Sequence, residues 1–481
     1  MRIYNTASRQ LEEIVPQTAK KIGLYACGIT AYDYAHIGNL RKYVMDDILV
    51  RTLRYAGYKV QHVQNVTDVG HLTSDADDGE DKLEKGARKY GKSVWDLAGF
   101  FEKYFFEACN KLNIITPDHV ARATDFVDAQ IQIARSLEDK GYAYLIPGEG
   151  LYFDTSKYAD YAKFARLKLN NQLEGARVSK IQGRRNPSDF ALWKFEQAGE
   201  NRAMSWPSPW SERGFPGWHL ECVAIASHFL GQQFDIHTGG IEHIPIHHTN
   251  EIAEAECAFG QKPFVRYWVH HNHMLVDGQK MSKSIGNIYK IEDLLDQGYS
   301  ASALRYLYLT AHYRSELNFT LESLAGVQKN LDKLVVTLGR LKTDDAPNSS
   351  IQTEHLKKLD LYRQRFLAHM DDDLNTPQAL TVIYEVLKTN LRGEDQYDLI
   401  LEFDEILGLD LRRLVAQYLK KQALGDSRVA QEGVAQELLR LRQNAKAKHD
   451  WETADEIRTQ LFTMGYEVID TPDGGSRLEV R

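Results

Sequence analysis

Apolar positions come in short runs early in the chain and settle into a helical rhythm later. Residues 21–27, KIGLYAC, form an apolar run that ends at Gly28 and predict a strand. Between residues 39 and 55, Leu40, Tyr43, Val44, Ile48 and Leu53 recur at helical spacing, and Gly57 closes the segment. Residues 59–66 predict a second strand. Strand, turn, helix, strand is the opening of a parallel α/β unit. Helices follow at 94–112 and 124–140. From 143 to 211 the pattern breaks into Tyr-, Gly-, Pro- and Trp-rich pieces with short strands such as 150–153, which read as an insertion. The α/β alternation then resumes with a helix at 218–229, a strand at 234–237, a helix at 249–259 and a strand at 264–269.

After Ser284 the pattern is helical, at 291–295, 301–310, 321–341, 355–370 and 377–391. Residues 344–350 and 422–429 read as linkers because they lack an apolar face and contain Gly, Pro or clustered polar residues. Residues 434–481 predict a helix pair and then a strand-turn-strand with its turn at Asp473-Gly474-Gly475.

Composition narrows the class. At ~150 residues per domain, 481 residues suggest about three domains. With 43% hydrophobic and 26% charged residues, the chain is an ordinary globular one. A net charge of -8 excludes a uniformly basic nucleic-acid binder and leaves room for a local basic face. The four cysteines, Cys27, Cys109, Cys222 and Cys257, are not spaced as a disulfide framework, which points to a reducing cytoplasm. Residues 1–10 lack the apolar core of a signal peptide, and no apolar run is long enough to span a membrane.

Two motifs carry phosphate chemistry. His36-Ile37-Gly38-Asn39 sits between the first strand and the first helix. Gly38 admits close backbone approach, the helix start offers N–H groups to a phosphate, and a His can stabilise developing charge. Lys280-Met281-Ser282-Lys283-Ser284, followed by Gly286-Asn287, reads as a cationic loop able to close over a triphosphate. Each alone reads more simply as a turn histidine or a solvated Lys-Ser loop, but their order, one at the start of an α/β domain and the other at its end, makes each support the other. A third group joins Cys27 at a strand end, Cys222 on a helix, and His247 with Glu251 on one helix face. Two thiolates, an imidazole and a carboxylate make a zinc set, but without a CxxC spacing buried structural cysteines and surface histidines remain the simpler reading.

The first motif resembles the HIGH signature of class I aminoacyl-tRNA synthetases, and the second matches their KMSKS loop letter for letter. Further segments are similar to the cysteinyl-tRNA synthetase family: Gly28-Ile29-Thr30 after Cys27, Pro216 to Cys222, Phe234 to Gly240, His247 to Glu251, Arg185-Asn186-Pro187 with Asp189-Phe190, Leu192-Trp193-Lys194, and Ala311 to Arg314. The resemblance covers nearly the whole chain. It implies a Rossmann-type parallel-sheet α/β catalytic domain and a cysteine–tRNA ligase. It gives catalytic roles to His36, Asn39, Lys280 and Lys283, and ATP contacts to those four with Gly38, Met281, Ser282 and Ser284. It implies one Zn2+ on Cys27, Cys222, His247 and Glu251 that takes the thiolate of substrate cysteine, and substrate contacts at Gly28, Thr67, Trp218 and Asp235. On periodicity alone, Trp218 reads equally as core. ATP with Mg2+, L-cysteine and tRNA-Cys are the implied partners of a cytoplasmic monomer serving protein biosynthesis. One position departs from the signature: Asn39 replaces its second His, and an amide can donate but cannot become cationic.

The later part resembles the RNA-binding half of the same family. In Met370 to Pro377 the acidic run reads as a helix entry, capped by Asn375 or Thr376 with Pro377 in the first turn. Ala445 to Trp451, with Ala454-Asp455 and Arg458, resembles the module that reads the anticodon. Trp451, Asp455 and Arg458 are its candidate contacts, against the alternative of a solvated helix with one buried Trp. Arg314 and the helix at 329–342 are further candidates for the tRNA backbone. The expected domains are therefore 1–142 with 212–290 (catalytic), 143–211 (connective insertion), 291–345 (stem-contact helices), 346–421 (anticodon-side helical bundle) and 430–481 (a small α+β anticodon module). Two rival readings are a cysteine ligase of thiol biosynthesis with an amino-sugar acceptor, and a non-catalytic tRNA- or zinc-binding paralogue. The segment 434–481 argues against the first rival, and the intact Lys280–Ser284 motif argues against the second.

Overall fold

The computed structural model describes residues 1–70, 81–167, 182–197, 199–282, 285–343, 353–471 and 475–480. Two units can be distinguished: Met1–Asp332 with Asp345–Asp410, and Lys333–Asp344 with Leu411–Arg481.

The first unit begins with a short antiparallel ribbon, β1 (Arg2–Asn5) and β2 (Gln10–Glu13). The α/β alternation follows: β3 (Lys21–Thr30), α1 (Ile37–Tyr55), β4 (Lys59–Thr67), α2 (Lys82–Tyr90), α3 (Val94–Lys111), β5 (His119–Arg122) and α4 (Val127–Asp139). Residues 143–216 build their own antiparallel sheet from β6 (Ala143–Ile146), β7 (Gly150–Phe153), β8 (Phe190–Phe195) and β9 (Gly214–Pro216). The alternation resumes with α5 (Leu220–Leu230), β10 (Phe234–Gly240), α6 (His247–Phe259) and β11 (Val265–His271). The five core strands lie in the order β11-β10-β3-β4-β5, and every pair is parallel. The chain moves outward from β3 in one direction and returns on its other side through β10. That makes the carboxyl ends of β3 and β10 a topological switch point, where open α/β sheets bind ligands.

A small sheet, β12 (Met274–Val276), β13 (Gln279–Lys280) and β14 (Leu317–Phe319), follows the last core strand. The helices α7 (Ile291–Leu295), α8 (Ala301–Leu309), α9 (Leu321–Thr343), α10 (Thr353–Asp371), α11 (Thr376–Val386) and α12 (Gly393–Leu407) come after β11. The second unit contains α13 (Leu411–Ala447), α14 (Trp451–Thr463) and the hairpin β15 (Tyr466–Asp470) and β16 (Ser476–Val480). Ala435, Leu439, Ile457, Leu461, Tyr466 and Val468 form its core. No helix among the described residues is long and apolar enough to cross a membrane.

The elements differ from the sequence pattern at informative places. α1 begins at Ile37 because His36 caps it: the Asn39 N–H donates to His36 Nδ1 at 3.2 Å, and Asn39 Oδ1 accepts from the His36 N–H at 3.2 Å. α5 begins at Leu220, which leaves Trp218 in the preceding turn and not on the helix face expected for it. The predicted linker at 422–429 is continuous helix within α13. Its Gln422, Ala423, Leu424 and Arg428 favour helix, and one Gly425 costs only about 1 kcal/mol. The other expected linker, 344–350, and most of the Asp473-Gly474-Gly475 turn lie outside the described residues. Asn375 is the residue that caps α11, accepting from the Gln378 N–H at 3.3 Å, with Pro377 in the first turn.

Candidate metal centre and nucleotide site

The donor atoms of Cys27, Cys222, His247 and Glu251 all lie within 4.8 Å of one another, and all four residues are buried. Cys222 Sγ is 3.5 Å from His247 Nε2, and His247 Nε2 is 3.0 Å from Glu251 Oε1. A tetrahedral ion with bonds of ~2.0–2.3 Å sets its donors roughly 3.3–3.8 Å apart, so this spacing suits zinc. A second grouping, Cys27, His237, His248 and Glu251, meets the same distance limit. The first grouping is the better zinc set because it uses both thiols, whereas the second has one; His248 Nε2 also faces Cys27 Sγ, at 3.3 Å. His237 Nε2 lies 2.8 Å from Glu251 Oε2, and His248 Nδ1 is 2.7 Å from His270 Nε2. The His247 ring is aimed the same way: its Nδ1 is 2.8 Å from His219 Nδ1, which turns Nε2 to the thiols.

The electrostatics suit a cation. Burial opposes a charged Cys27, but the Cys222 hydrogen bond and the nearby His248 and His237 outweigh it and hold the Cys27 thiol below its ordinary range. Burial, then Cys27 and Glu251, push the Cys222 thiol up. Burial also opposes the Glu251 carboxylate, which His237 and His247 nevertheless hold low. Two thiols and a carboxylate packed this closely are a concentration of potential negative charge that a divalent ion would relieve.

The two phosphate motifs meet. A Cβ at Gly38 would stand 2.0 Å from Met281 Cε, so the Met281 side chain lies across the missing side chain of Gly38. The Ile37 N–H donates to Tyr289 O at 2.9 Å, which joins the chain after the second motif to the start of α1. This pairing also changes the expected phosphate seat. Of the first three N–H groups of α1, Ile37 binds Tyr289 and Asn39 binds the His36 ring. Gly38 alone has no partner among the described residues. The Asn39 carbonyl oxygen is used in the cap, leaving its amide NH2 to face outward from an exposed position. Lys280 ends β13 and is exposed. Asn287 shapes the loop behind it, accepting from the Ser282 N–H at 2.8 Å and donating to Lys280 O at 3.2 Å. Lys283 and Ser284 lie outside the described residues.

Of the expected substrate contacts, three border the metal ligands. Trp218 is half-buried with its ring centroid 4.5 Å from that of His247. Thr67 ends β4 and donates to Glu221, a buried carboxylate that also accepts from Asn65 Nδ2 at 3.2 Å. Gly28 follows Cys27 at an irregularity in the β3–β4 register, and its N–H donates to Asn65 Oδ1 at 2.6 Å. A Cβ there would fall 1.6 Å from Asn65 O, so only glycine fits. Asp235 does not join them. It stands at the start of β10, the end away from the switch point, and both its oxygens are taken by backbone: Oδ1 by Gln17 N–H at 2.8 Å and Oδ2 by Gly23 N–H at 2.9 Å. Its carboxylate ties the β3 approach to the sheet. Arg314, expected to face RNA, is likewise engaged, its Nε 2.7 Å from Asp373 Oδ2 and its guanidinium over the Tyr4 ring. Residues that pattern reading missed are Asn65, His219, Glu221, His237, His248 and His270. The run Phe234 to Gly240 and the pair His270-His271 carried the available signal, a surplus of histidine inside otherwise apolar strands.

In the second unit, Trp451, Asp455 and Arg458 share one exposed face of α14, and Trp451 is 57% exposed. That removes the alternative of a buried Trp.

Comparison with known proteins gives the lineage. The family model "tRNA synthetases class I (C) catalytic domain" matches residues 13–329, the DALR domain 365–412, and the cysteinyl-tRNA ligase anticodon binding domain 432–481. The cysteine–tRNA ligase of Treponema denticola is 40% identical over 97% of this chain and 96% of its own. Cysteine–tRNA ligase 1 of Burkholderia lata is 42% identical over 98% and 96%. The chain belongs to the cysteine–tRNA ligase family. Among solved structures, Mycobacterium tuberculosis methionyl-tRNA synthetase in complex with methionyl-adenylate matches with a TM-score of 0.54 and 16% identity. The match covers 82% of this chain and 90% of that one, and so establishes the shared class I fold. The anticodon binding domain at the C-terminus of this ligase disfavours the amino-sugar reading, which needs no such module.

Proposed function

We propose that this ligase activates L-cysteine with ATP to cysteinyl-adenylate, releasing pyrophosphate, and passes the cysteinyl group to the 3′ end of tRNA-Cys. The observation that carries this reading is the convergence of Cys27, Cys222, His247 and Glu251 at the switch point of the sheet. A zinc ion held by these four would supply a soft Lewis acid that prefers a thiolate to the alcohol of serine. A site built on such a polar bond discriminates by ~10⁴ or more, which removes the need for editing. Around it, Trp218 and Thr67 frame the amino acid, and Gly28 gives it access to the sheet end.

For ATP with Mg2+, the contacts are His36, Gly38, Asn39, Lys280, Met281, Ser282, Lys283 and Ser284. Gly38 N–H and the Asn39 amide donate to phosphate. His36, Lys280 and Lys283 stabilise the charge that develops as pyrophosphate leaves. Positioning and electrostatics lower most of the barrier, so no general base is required. Trp451 and Arg458 stack on and pair with anticodon nucleotides, and Asp455 accepts from a base edge. The division of labour assigns 1–142 with 212–290 to catalysis, 143–211 to the connective insertion, 291–345 to the acceptor stem, 346–421 to the anticodon-side bundle and 430–481 to the anticodon. The enzyme acts as a cytoplasmic monomer.

Cysteine-dependent ATP–pyrophosphate exchange on zinc-loaded protein, measured with metal content on the same sample, tests the proposal. Exchange with about one zinc per chain is expected, and label should then pass to tRNA. No exchange from folded, zinc-loaded protein would overturn it. The Cys222→Ser variant should lose zinc and discrimination against serine together; selectivity kept without metal would defeat the role given to zinc.

A further inference from the structure

Arg41 lies in α1 two residues after Asn39, is only 2% exposed, and spends its guanidinium on main-chain carbonyls. Nη1 donates to Asn272 O at 3.1 Å and His273 O at 2.8 Å; Nη2 donates to His312 O at 3.1 Å and Ser315 O at 2.7 Å. Asn272 and His273 join β11 to β12, whose antiparallel partner β13 ends in Lys280. His312 and Ser315 lie in the chain that leads into β14, the parallel partner of β12. One planar fork thus holds the entries to both strands that frame the Lys280 hairpin, and it does so from the first turns of the helix that carries Gly38 and Asn39.

We propose that Arg41 is a positioning residue that sets the Lys280 hairpin in register with the first phosphate motif. The inference rests on the nucleotide site described under the proposed function. A structural arginine would need only a partner for its charge. Here four carbonyls from two separate segments are gathered, and both segments lead to the same small sheet. Lysine cannot copy this, because a single ammonium carries three donors from one point, whereas the fork reaches four acceptors from two nitrogens. Burial lowers the Arg41 pKa to about 10, so the fork stays charged at neutral pH.

Arg41→Lys and Arg41→Ala test the proposal in two ways. In pyrophosphate exchange, kcat/KM for ATP should fall by about 10- to 100-fold, as misplacement of reacting groups by up to about 1 Å would do, while the KM for cysteine stays near that of the unaltered protein. Added guanidinium should restore part of the activity of Arg41→Ala and none in Arg41→Lys. Independently of catalysis, amide hydrogen exchange in Arg41→Lys should rise at 272–282 and 312–319 and nowhere else. The amide readout stands even if the unaltered protein shows no exchange, which would overturn the proposed function and not this inference. Unchanged protection at both segments overturns the positioning role. So does an equal loss in ATP and cysteine kinetics that merely follows a lowered Tm.

Discussion

His62 stands on β4 with both ring nitrogens buried and without a hydrogen-bond partner among the described residues, beside a Gln64 Nε2 that likewise has none among them. Both line a small cavity whose walls include Tyr43, Asp46, Phe105, Phe106 and Cys109. Burial pushes the ring's pKa down to about 4, so it is neutral in the folded chain. An unfolded His titrates near 6.5. Between those values the unfolded state binds the extra proton, so His62 removes stability as pH falls from about 6.5 toward 4. The loss is about 1.4 kcal/mol per pH unit, on the order of 3 kcal/mol in all. His62→Leu should therefore unfold at a similar or higher denaturant midpoint at neutral pH, by about 1 kcal/mol, since it deletes two unsatisfied groups. Its advantage should widen at pH 5. Urea titrations at the two pH values check this; a gap that narrows on acidification would show that the imidazole is stabilised by protonation. The same residue shows what a sequence hides. His62 is one of many histidines in the chain, and nothing in its neighbours marks it as unpartnered; for His237 and His270 the surplus of histidine in apolar strands was visible, but not that they surround Cys27 and Glu251. Those relations are made by strands far apart in sequence.

Contact between the α1 start and the loop after β13 is the clearest case of two elements acting as one site. Both motifs were legible in the sequence, because each is a contiguous run, and their order suggested a shared site. The contact itself was not legible: Met281 Cε occupies the space that a Cβ at Gly38 would need. Gly38→Ala should displace the end of a flexible side chain and lower exchange activity by about tenfold, as a small shift of reacting groups does. Met281→Ala alone should cost less. In the double variant the losses should fall short of their sum, because the clash is gone, with a coupling of roughly 0.5–3 kcal/mol for residues in contact. Strictly additive losses would mean that the two elements separate when ATP binds. Boundaries followed the same logic. α1 starts at Ile37 because His36 and Asn39 cap each other, and α13 runs through 422–429 because helix propensity does not require an apolar stripe.

The chain divides into two units with separate cores, and the proposed chemistry divides the same way. In the proposed function, activation of cysteine draws only on groups of the first unit, and the anticodon contacts lie on the exposed face of α14. The family match at 432–481 and the 57% exposure of Trp451 support that division. Replacing Trp451 and Arg458 together by Ala should therefore spare the tRNA-independent reaction. Both side chains are exposed and outside the core formed by Ile457 and Leu461, so the fold of the second unit should survive. Cysteine-dependent pyrophosphate exchange should stay within about twofold of the unaltered protein, because surface changes of this kind shift stability by about 0.5 kcal/mol or less. The KM for tRNA in aminoacylation should rise by roughly 10- to 100-fold, since a base stacked on an aromatic ring is worth about 1–3 kcal/mol and the lost cation adds to it. Raising the salt concentration should narrow the difference, as the Arg458 share of binding is screened and the stacking share is not. Exchange and charging that fall in parallel would refute the division, because a face used only for RNA has no means of slowing a step that precedes RNA binding.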